Sequence, residues 1–309
     1  GEEMIDTQES MTAKLCSFAR AYHSNFGKQK IFDDFLAYDL MGKEEYEEIG
    51  QLIEHDFDPA GVDPNRGFNG TRVYPELNRY ISPIPLSRIA FAEEELARFA
   101  ETKGCCQYVI CGAGMDTFAF RNENPDIQIF ELDHPDTQRY KLERIRQLEW
   151  TIPHNVHYVA NDFAKDNMVD ILKNAGFAPE CPAYFAILGV TYYLTLPIFE
   201  QTIEKISQLS CQGNQMVFDF PDETTFAAGG GGVHRVRQLT EITARLGEPM
   251  QHGFSIEEIR QALLRHGFIL DRHETPETIQ QHFFAGRADE QRAFENIHFI
   301  LAVKKERVQ

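Results

Sequence analysis

The feature that most constrains this chain is the stretch QYVICGAGMDTFAFR, residues 107–121. The apolar run Tyr108 to Cys111 passes without a break into Gly112-Ala113-Gly114. Four apolar residues closed by glycines fit a buried parallel strand that ends in a tight turn. A second strand-like run, IQIFELD over residues 127–133, ends on Asp133. Strand, glycine turn, helix, strand and terminal acid form the unit that grips an adenosine, the acid accepting from the ribose hydroxyls.

The sequence beyond that unit repeats its alternation. Further strands are expected at VHYVAND (156–162), AYFAILG (183–189) and QMVFDF (215–220). Helices fall between them. One has Pro135 in its first turn, with Tyr140, Ile145 and Leu148 inward and its charges outward; one spans 165–176 and closes on Gly176. Another is opened by Pro197 and shows one face of Phe199, Ile203, Ile206 and Leu209. Upstream, Ile84 to Ala100 is helical and leads into the first strand. After strand five, Ser255 and Glu258 form a capping box for a helix that ends at Gly267. Two strands, FILDRHE and HFILAVKK, then close the chain with no helix of ordinary length between them.

Five strand–helix alternations followed by a helix and two strands give the class α/β. The expectation is a doubly wound, mostly parallel seven-stranded sheet, Rossmann-like, with an antiparallel strand in the terminal pair. Residues 1–83 read as an N-terminal cap of helices and loops within the same domain. It holds an amphipathic helix over 8–26 and a short helical piece at IFDDFLAYDLM. A connector rich in Pro and Gly over 56–83 completes it. The core is residues 84–309, with a substrate-side insertion near 221–254, and Gly229 to Gly232 read as a flexible surface loop.

Composition removes several partners. A formal net charge of −18 leaves no basic face for nucleic acid or for an anionic membrane surface. Six cysteines show neither a C-x-x-C pair nor zinc spacing, so no metal site is expected. Cys111, Cys181 and Cys211 read as small buried hydrophobes. There is no secretion-signal pattern and no apolar run of membrane-spanning length, so a reduced, cytoplasmic setting is the expectation.

The glycine turn discriminates between adenosine ligands. A dinucleotide needs a third glycine so that backbone and helix can approach the pyrophosphate. That position is Thr117. S-adenosylmethionine carries no phosphate and has no such need. Its requirements are an acid for the ribose, a clamp on adenine and a cation for the carboxylate. The sequence offers Asp133, Asp162 with Phe163, and Lys14 or Arg88 in those roles.

GAGMDTFAFR, followed by FELDHP and then AND, is similar to the leucine carboxyl methyltransferase family. The resemblance runs from about Thr12 to the last strand. That family includes enzymes that methylate the C-terminal carboxylate of a phosphatase subunit, and bacterial O-methyltransferases assigned to polyketide-type small molecules. The resemblance implies a class I methyltransferase fold with S-adenosyl-L-methionine as cofactor. By it, Lys14 and Arg88 hold the methionine carboxylate, and Gly112 and Gly114 line the methionyl part. Asp133 takes the ribose, and Asp162 with Phe163 the adenine. Asp116 and Arg121 match motif positions read as structural. One departure is that Leu188 stands where the phosphatase methyltransferases carry a Glu.

Methyl transfer from a sulfonium is an in-line displacement governed by holding two reactants ~3–3.5 Å apart. A carboxylate acceptor is already ionised, whereas a phenol with pKa about 10 needs help from a base. His134, His234 and His252 are the candidate bases, and Tyr192 and Tyr193, after strand four, are candidates for positioning the acceptor. The expected activity is O-methylation of a carboxylate or hydroxyl on a small, polyketide-like molecule. The alternatives are carboxyl methylation of a protein C-terminus, a cofactor-binding protein without turnover and, last, a nicotinamide oxidoreductase.

Overall fold

The computed structural model describes residues 10–57, 74–227 and 233–305. The glycine run 229–232 and most of the connector expected over 56–83 lie outside the described residues.

Seven strands form one sheet: β1 (Cys106–Cys111), β2 (Ile127–Asp133), β3 (Val156–Ala160), β4 (Ala183–Ile187), β5 (Gln215–Pro221), β6 (Phe268–Glu274) and β7 (Ile297–Lys304). Their spatial order is β3-β2-β1-β4-β5-β7-β6. Strands β1 to β5 pair in parallel, and β7 runs antiparallel to both β5 and β6. The strand order reverses between β1 and β4, so a crevice opens at their carboxyl ends, where doubly wound sheets take ligands.

The alternating pleat explains why the strands are apolar on both faces. Along β1, Tyr108 and Ile110 enter one core, and Val109 and Cys111 enter the other. The first core is covered by helix α5 (Pro83–Lys103) through Phe91, Leu96 and Phe99. The second is covered by α8 (Met168–Asn174), α9 (Leu196–Gln208) and α11 (Ile256–Arg265). Phe199, Ile203, Ile206 and Leu209 are all fully buried there, as their spacing predicts.

The cap has a core of its own. Helices α1 (Met11–Phe26), α2 (Ala37–Met41), α3 (Lys43–Phe57) and α4 (Pro75–Tyr80) bury Phe18, Tyr46, Ile53 and Leu77 together. Phe18 stacks on Tyr46 with ring centroids 4.4 Å apart. A further helix, α10 (His234–Arg245), leads the segment that closes on α1. There Glu248 accepts from Ser10 Oγ at 2.6 Å and from Thr12 N at 3.3 Å.

Several boundaries differ from the sequence expectation. Strand β4 stops at Ile187, two residues early, because Gly189 at φ +72° turns the chain out of the ladder. Helix α8 starts at Met168 and not at 165, since Asn167 accepts from Val169 N and Asp170 N and so caps it. Cys181 is exposed and Cys211 half-buried; the buried pair is Cys106 and Cys111, both on β1. Helix α7 (Pro135–Gln147) does not keep all its charges outward. Its Lys141 is 2% exposed and reaches Glu131 Oε1 at 2.5 Å and the Asp116 carbonyl at 2.7 Å. Burial pushes the Glu131 carboxyl up to about 7 against the pull of that ammonium.

Candidate functional site

The turn after β1 is built by backbone. Gly112 N and Ala113 N both donate to the Leu132 carbonyl of β2, at 2.9 and 3.0 Å. Gly112 at φ +74° and Gly114 at φ +51° occupy the left-handed region that side chains disfavour. A Cβ at Gly114 would meet nothing within 4 Å, so the backbone there faces open space. Gly114 N donates to Asp133 Oδ2 at 2.7 Å, and His134 N donates to Oδ1 at 2.8 Å. The carboxylate at the end of β2 is thereby fixed beside the turn. Burial raises its pKa while these two N–H groups pull the other way.

A cavity of about 240 Å³ opens on this turn. Residues 112–116 form one wall, and Leu188 to Val190, Tyr192 and Tyr193 form another. Two guanidinium groups line it, Arg88 from α5 and Arg20 from α1. The lining also includes the apolar Ile81, Ile84, Leu239, Ile242, Leu246 and Met250, with the hydroxyl residues Ser10, Thr12, Ser17 and Thr243 among them.

Arg88, Gly112, Gly114, Tyr192 and Tyr193 therefore meet in one cavity, as the sequence suggests. Asp133 is not itself a lining residue, but its carboxylate accepts from the backbone of Gly114, which is. Asp162 and Phe163 follow β3 along the same sheet edge but are not among the cavity's lining residues. Asp162 Oδ1 accepts from Ala164 N at 3.0 Å, and Phe163 is 48% exposed. An exposed aromatic beside a sheet edge leaves a face for a planar base to stack on.

Lys14 is the correction. It does not line the cavity; its Nζ lies 3.5 Å from Glu45 Oε1 of α3. Thr12, Ala13, Leu15, Cys16, Ser17 and Arg20 of α1 line the cavity. Arg20 takes the cavity position instead. It is buried, with Nε donating to Asp34 Oδ2 at 3.0 Å and Nη2 to the Met115 carbonyl at 3.4 Å.

Asp116 and Arg121 both make structural contacts, and Asp116 also lines the cavity. Asp116 Oδ1 accepts from Phe118 N at 2.8 Å and so holds the start of α6 (Phe118–Arg121). Arg121 forms a bidentate pair with Glu93 of α5 at 2.9 and 2.7 Å and lies over the Phe32 ring. None of the three candidate histidines lines the cavity. His134 caps α7 with its ring, His234 packs edge-on against Tyr80, and His252 is exposed.

Asp219, on β5, was not singled out in the sequence. Its side chain is fully buried and accepts from Gly189 N (2.8 Å), Tyr192 Oη (2.6 Å) and Arg88 Nη1 (3.3 Å). One acid inside the apolar run QMVFDF was the available signal, since a buried carboxylate needs partners. Burial with Asp219 alongside holds the Tyr192 phenol well above its usual pKa, and burial moves Tyr193 up to about 12.

A profile of the leucine carboxyl methyltransferase family matches residues 13–207, more than half of the chain. The chain belongs to the leucine carboxyl methyltransferase family. A Bacillus subtilis protein carried under the name S-adenosyl-L-methionine-dependent methyltransferase YktD is 36% identical over 307 residues, covering 98% of this chain and all of that one. A similarly named protein of Mycolicibacterium vanbaalenii is 25% identical over 79% of each chain. Among solved structures, a DUF574-family protein from Streptomyces avermitilis superimposes with a TM-score of 0.54 at 14% identity, over 93% of this chain and 96% of that one. The match is in fold alone. The reaction class is methyl transfer from S-adenosylmethionine. The donor set fits that group: an anchored carboxylate, an open glycine turn and cavity-lining guanidinium groups. No helix among the described residues is long and apolar enough to cross a membrane.

Proposed function

We propose that this methyltransferase moves the methyl group to an oxygen of a small, largely apolar acceptor, with a carboxylate as the preferred nucleophile. When bound, the cofactor supplies an electrophilic methyl on a sulfonium. The chain's own part is to hold and align. Asp133 offers acceptors to the ribose, Gly112 and Gly114 let the methionyl chain lie against backbone, and Arg88 offers N–H donors to its carboxylate. Asp162 and Phe163 are assigned to the adenine on the sheet edge beyond Asp133.

The observation that carries the acceptor reading is the make-up of the cavity. Besides the glycine turn, its lining is rich in apolar side chains: Leu239 and Ile242 of α10, Ile84 and Ile89 of α5, Met250, and Leu188 after β4. Tyr192 and Tyr193 are protonated at neutral pH, and the Asp116 carboxylate on the cavity wall is engaged by Phe118 N. No histidine lines the cavity. A nucleophile that is ionised before it arrives suits such a site, because no base then has to act. An apolar enclosure strips water from that carboxylate and favours the charge-neutralising transfer. Apolar walls fit a small acid with a hydrophobic body better than a peptide end, whose backbone would need polar partners.

The test uses S-adenosylmethionine labelled in its methyl group with a panel of aliphatic acids, aromatic acids and phenols. Label that transfers to acids and is released as methanol by mild alkali is the expected result, since esters hydrolyse and aryl ethers do not. Alkali-stable label on the phenols alone would overturn the carboxylate preference.

A further inference from the structure

We infer that Asp219 is a positioning residue: it fixes the Arg88 guanidinium, and through it the end of the cavity that receives the cofactor's amino-acid carboxylate. The inference rests on reading the cavity as the S-adenosylmethionine site.

Asp219 is fully buried, so whatever it does to a ligand it does through its neighbours. Its two oxygens divide the work. Oδ1 accepts from Gly189 N at 2.8 Å and holds the chain as it leaves β4. Oδ2 accepts from Tyr192 Oη at 2.6 Å and from Arg88 Nη1 at 3.3 Å. Its main-chain oxygen accepts from Thr191 Oγ1 at 2.7 Å, tying the same loop a second time. One buried acid thus links the loop after β4, the first of the two cavity tyrosines and the α5 arginine.

Gly189 completes the seat. At φ +72° it is in glycine's region, and a Cβ there would come within 2.8 Å of Arg88 Nη2 and 3.0 Å of Cζ. The guanidinium occupies the space a side chain would take. On its other side, Arg88 Nη2 lies 3.8 Å from Cys16 Sγ of α1. Among the described residues the Nε–H of Arg88 has no acceptor, although the residue lines the cavity. A long arginine side chain loses rotamer freedom when it closes on a carboxylate, and one already held in place binds without that loss. The single charge of Asp219 also makes burial of the guanidinium tolerable before any ligand arrives.

The test compares two ligands in calorimetric titrations. S-adenosylhomocysteine carries the amino-acid end, and 5′-methylthioadenosine lacks it. In Asp219→Asn, binding of S-adenosylhomocysteine should weaken about tenfold, with 5′-methylthioadenosine held within about twofold. Gly189→Ala keeps the charge of Asp219 but drives a methyl group into the Arg88 head, and should show the same selective loss. If Asp219→Asn fails to fold, Asp219→Glu, which keeps the charge but displaces it, takes its place with the same selective loss expected. Equal weakening of both ligands would make Asp219 merely structural. No change, or tighter S-adenosylhomocysteine binding, would mean that it does not position Arg88; each of these outcomes overturns the inference. A wild-type protein that binds neither ligand would instead sink the cofactor reading beneath it.

Discussion

The two halves of the cavity are built by different physics. The half at the sheet ends is held by backbone hydrogen bonds and buried charges: Gly112 and Ala113 on Leu132, Gly114 on Asp133, Lys141 on Glu131, Arg88 on Asp219. The half made by α1, α4, α10 and the start of α5 brings more apolar side chains to the cavity, among them Leu239, Ile242 and Met250. Its polar ties join helices and loops of the cap: Arg20 to Asp34, Glu248 to the start of α1, and Arg235, which donates to the carbonyls of Arg79, Arg292 and Ala293. Directional bonds fix atoms to within tenths of an ångström, as a common cofactor needs. Apolar packing tolerates side chains of similar volume, so substitutions on that side should leave the turn undisturbed.

Breaking the sheet-end half should be costly. Lys141→Ala leaves Glu131 buried without its cation, and removing one partner of a buried pair costs ~3–5 kcal/mol. Chemical denaturation should show that loss, while a Lys141→Met, Glu131→Leu double variant recovers most of it. A double variant no more stable than Lys141→Ala would mean that the charge pair is not what holds this turn.

Asp133→Ala removes the acceptor assigned to the ribose and should weaken S-adenosylmethionine binding by ~1.5–3 kcal/mol in titration calorimetry. An unchanged dissociation constant would show that the end of β2 does not face the ribose.

The cap should give way to acid. Burial, with Arg287 and Lys30 nearby, pushes His23 down to about 4, and its Nε2 accepts from Ile31 N at 2.9 Å. The unfolded chain binds that proton near pH 6.5, so it binds more protons than the folded chain between the two values. The stability His23 contributes is therefore complete above about pH 6.5 and is lost as pH falls toward 4. His23→Gln cannot titrate, so its melting temperature should fall less steeply over that window, by the equivalent of about 3 kcal/mol across the whole of it. Parallel acid profiles would dismiss His23 as the source.

The smallest effect is expected at Lys14. It lies beside Glu45 and is not among the residues lining the cavity, so Lys14→Ala should leave cofactor affinity within about twofold, whatever the half-buried ion pair contributes to stability. Arg20→Ala in the same titration should be clearly worse. The reverse order would mean that α1 turns its other face to the ligand.

Much of this was legible in the sequence, for identifiable reasons. The limits of β2 came out residue for residue, because a pleated run bounded by turn residues is a local pattern. The capping box at Ser255 and the buried face of α9 were equally local. The turn glycines and Asp133 followed from a motif whose parts lie within a few tens of residues. Ends of strands were less legible: β4 stops where Gly189 leaves the sheet, and what bends it there is Asp219 on the next strand, thirty residues on.

What tertiary structure alone decided is which charges face the ligand. Lys14 and Arg20 sit on one helix, and both are cations two turns or less apart. The rotation of α1 chooses between them, and that rotation is set by Phe18 packing on Tyr46 from a helix more than twenty residues away. Asp219, Arg88 and Tyr192 come from three elements and are brought together only by the sheet order. Strand periodicity and turn chemistry are properties of neighbours along the chain, so the sequence could state them. The convergence of side chains in the cavity is a property of neighbours in space, and only packing could supply it.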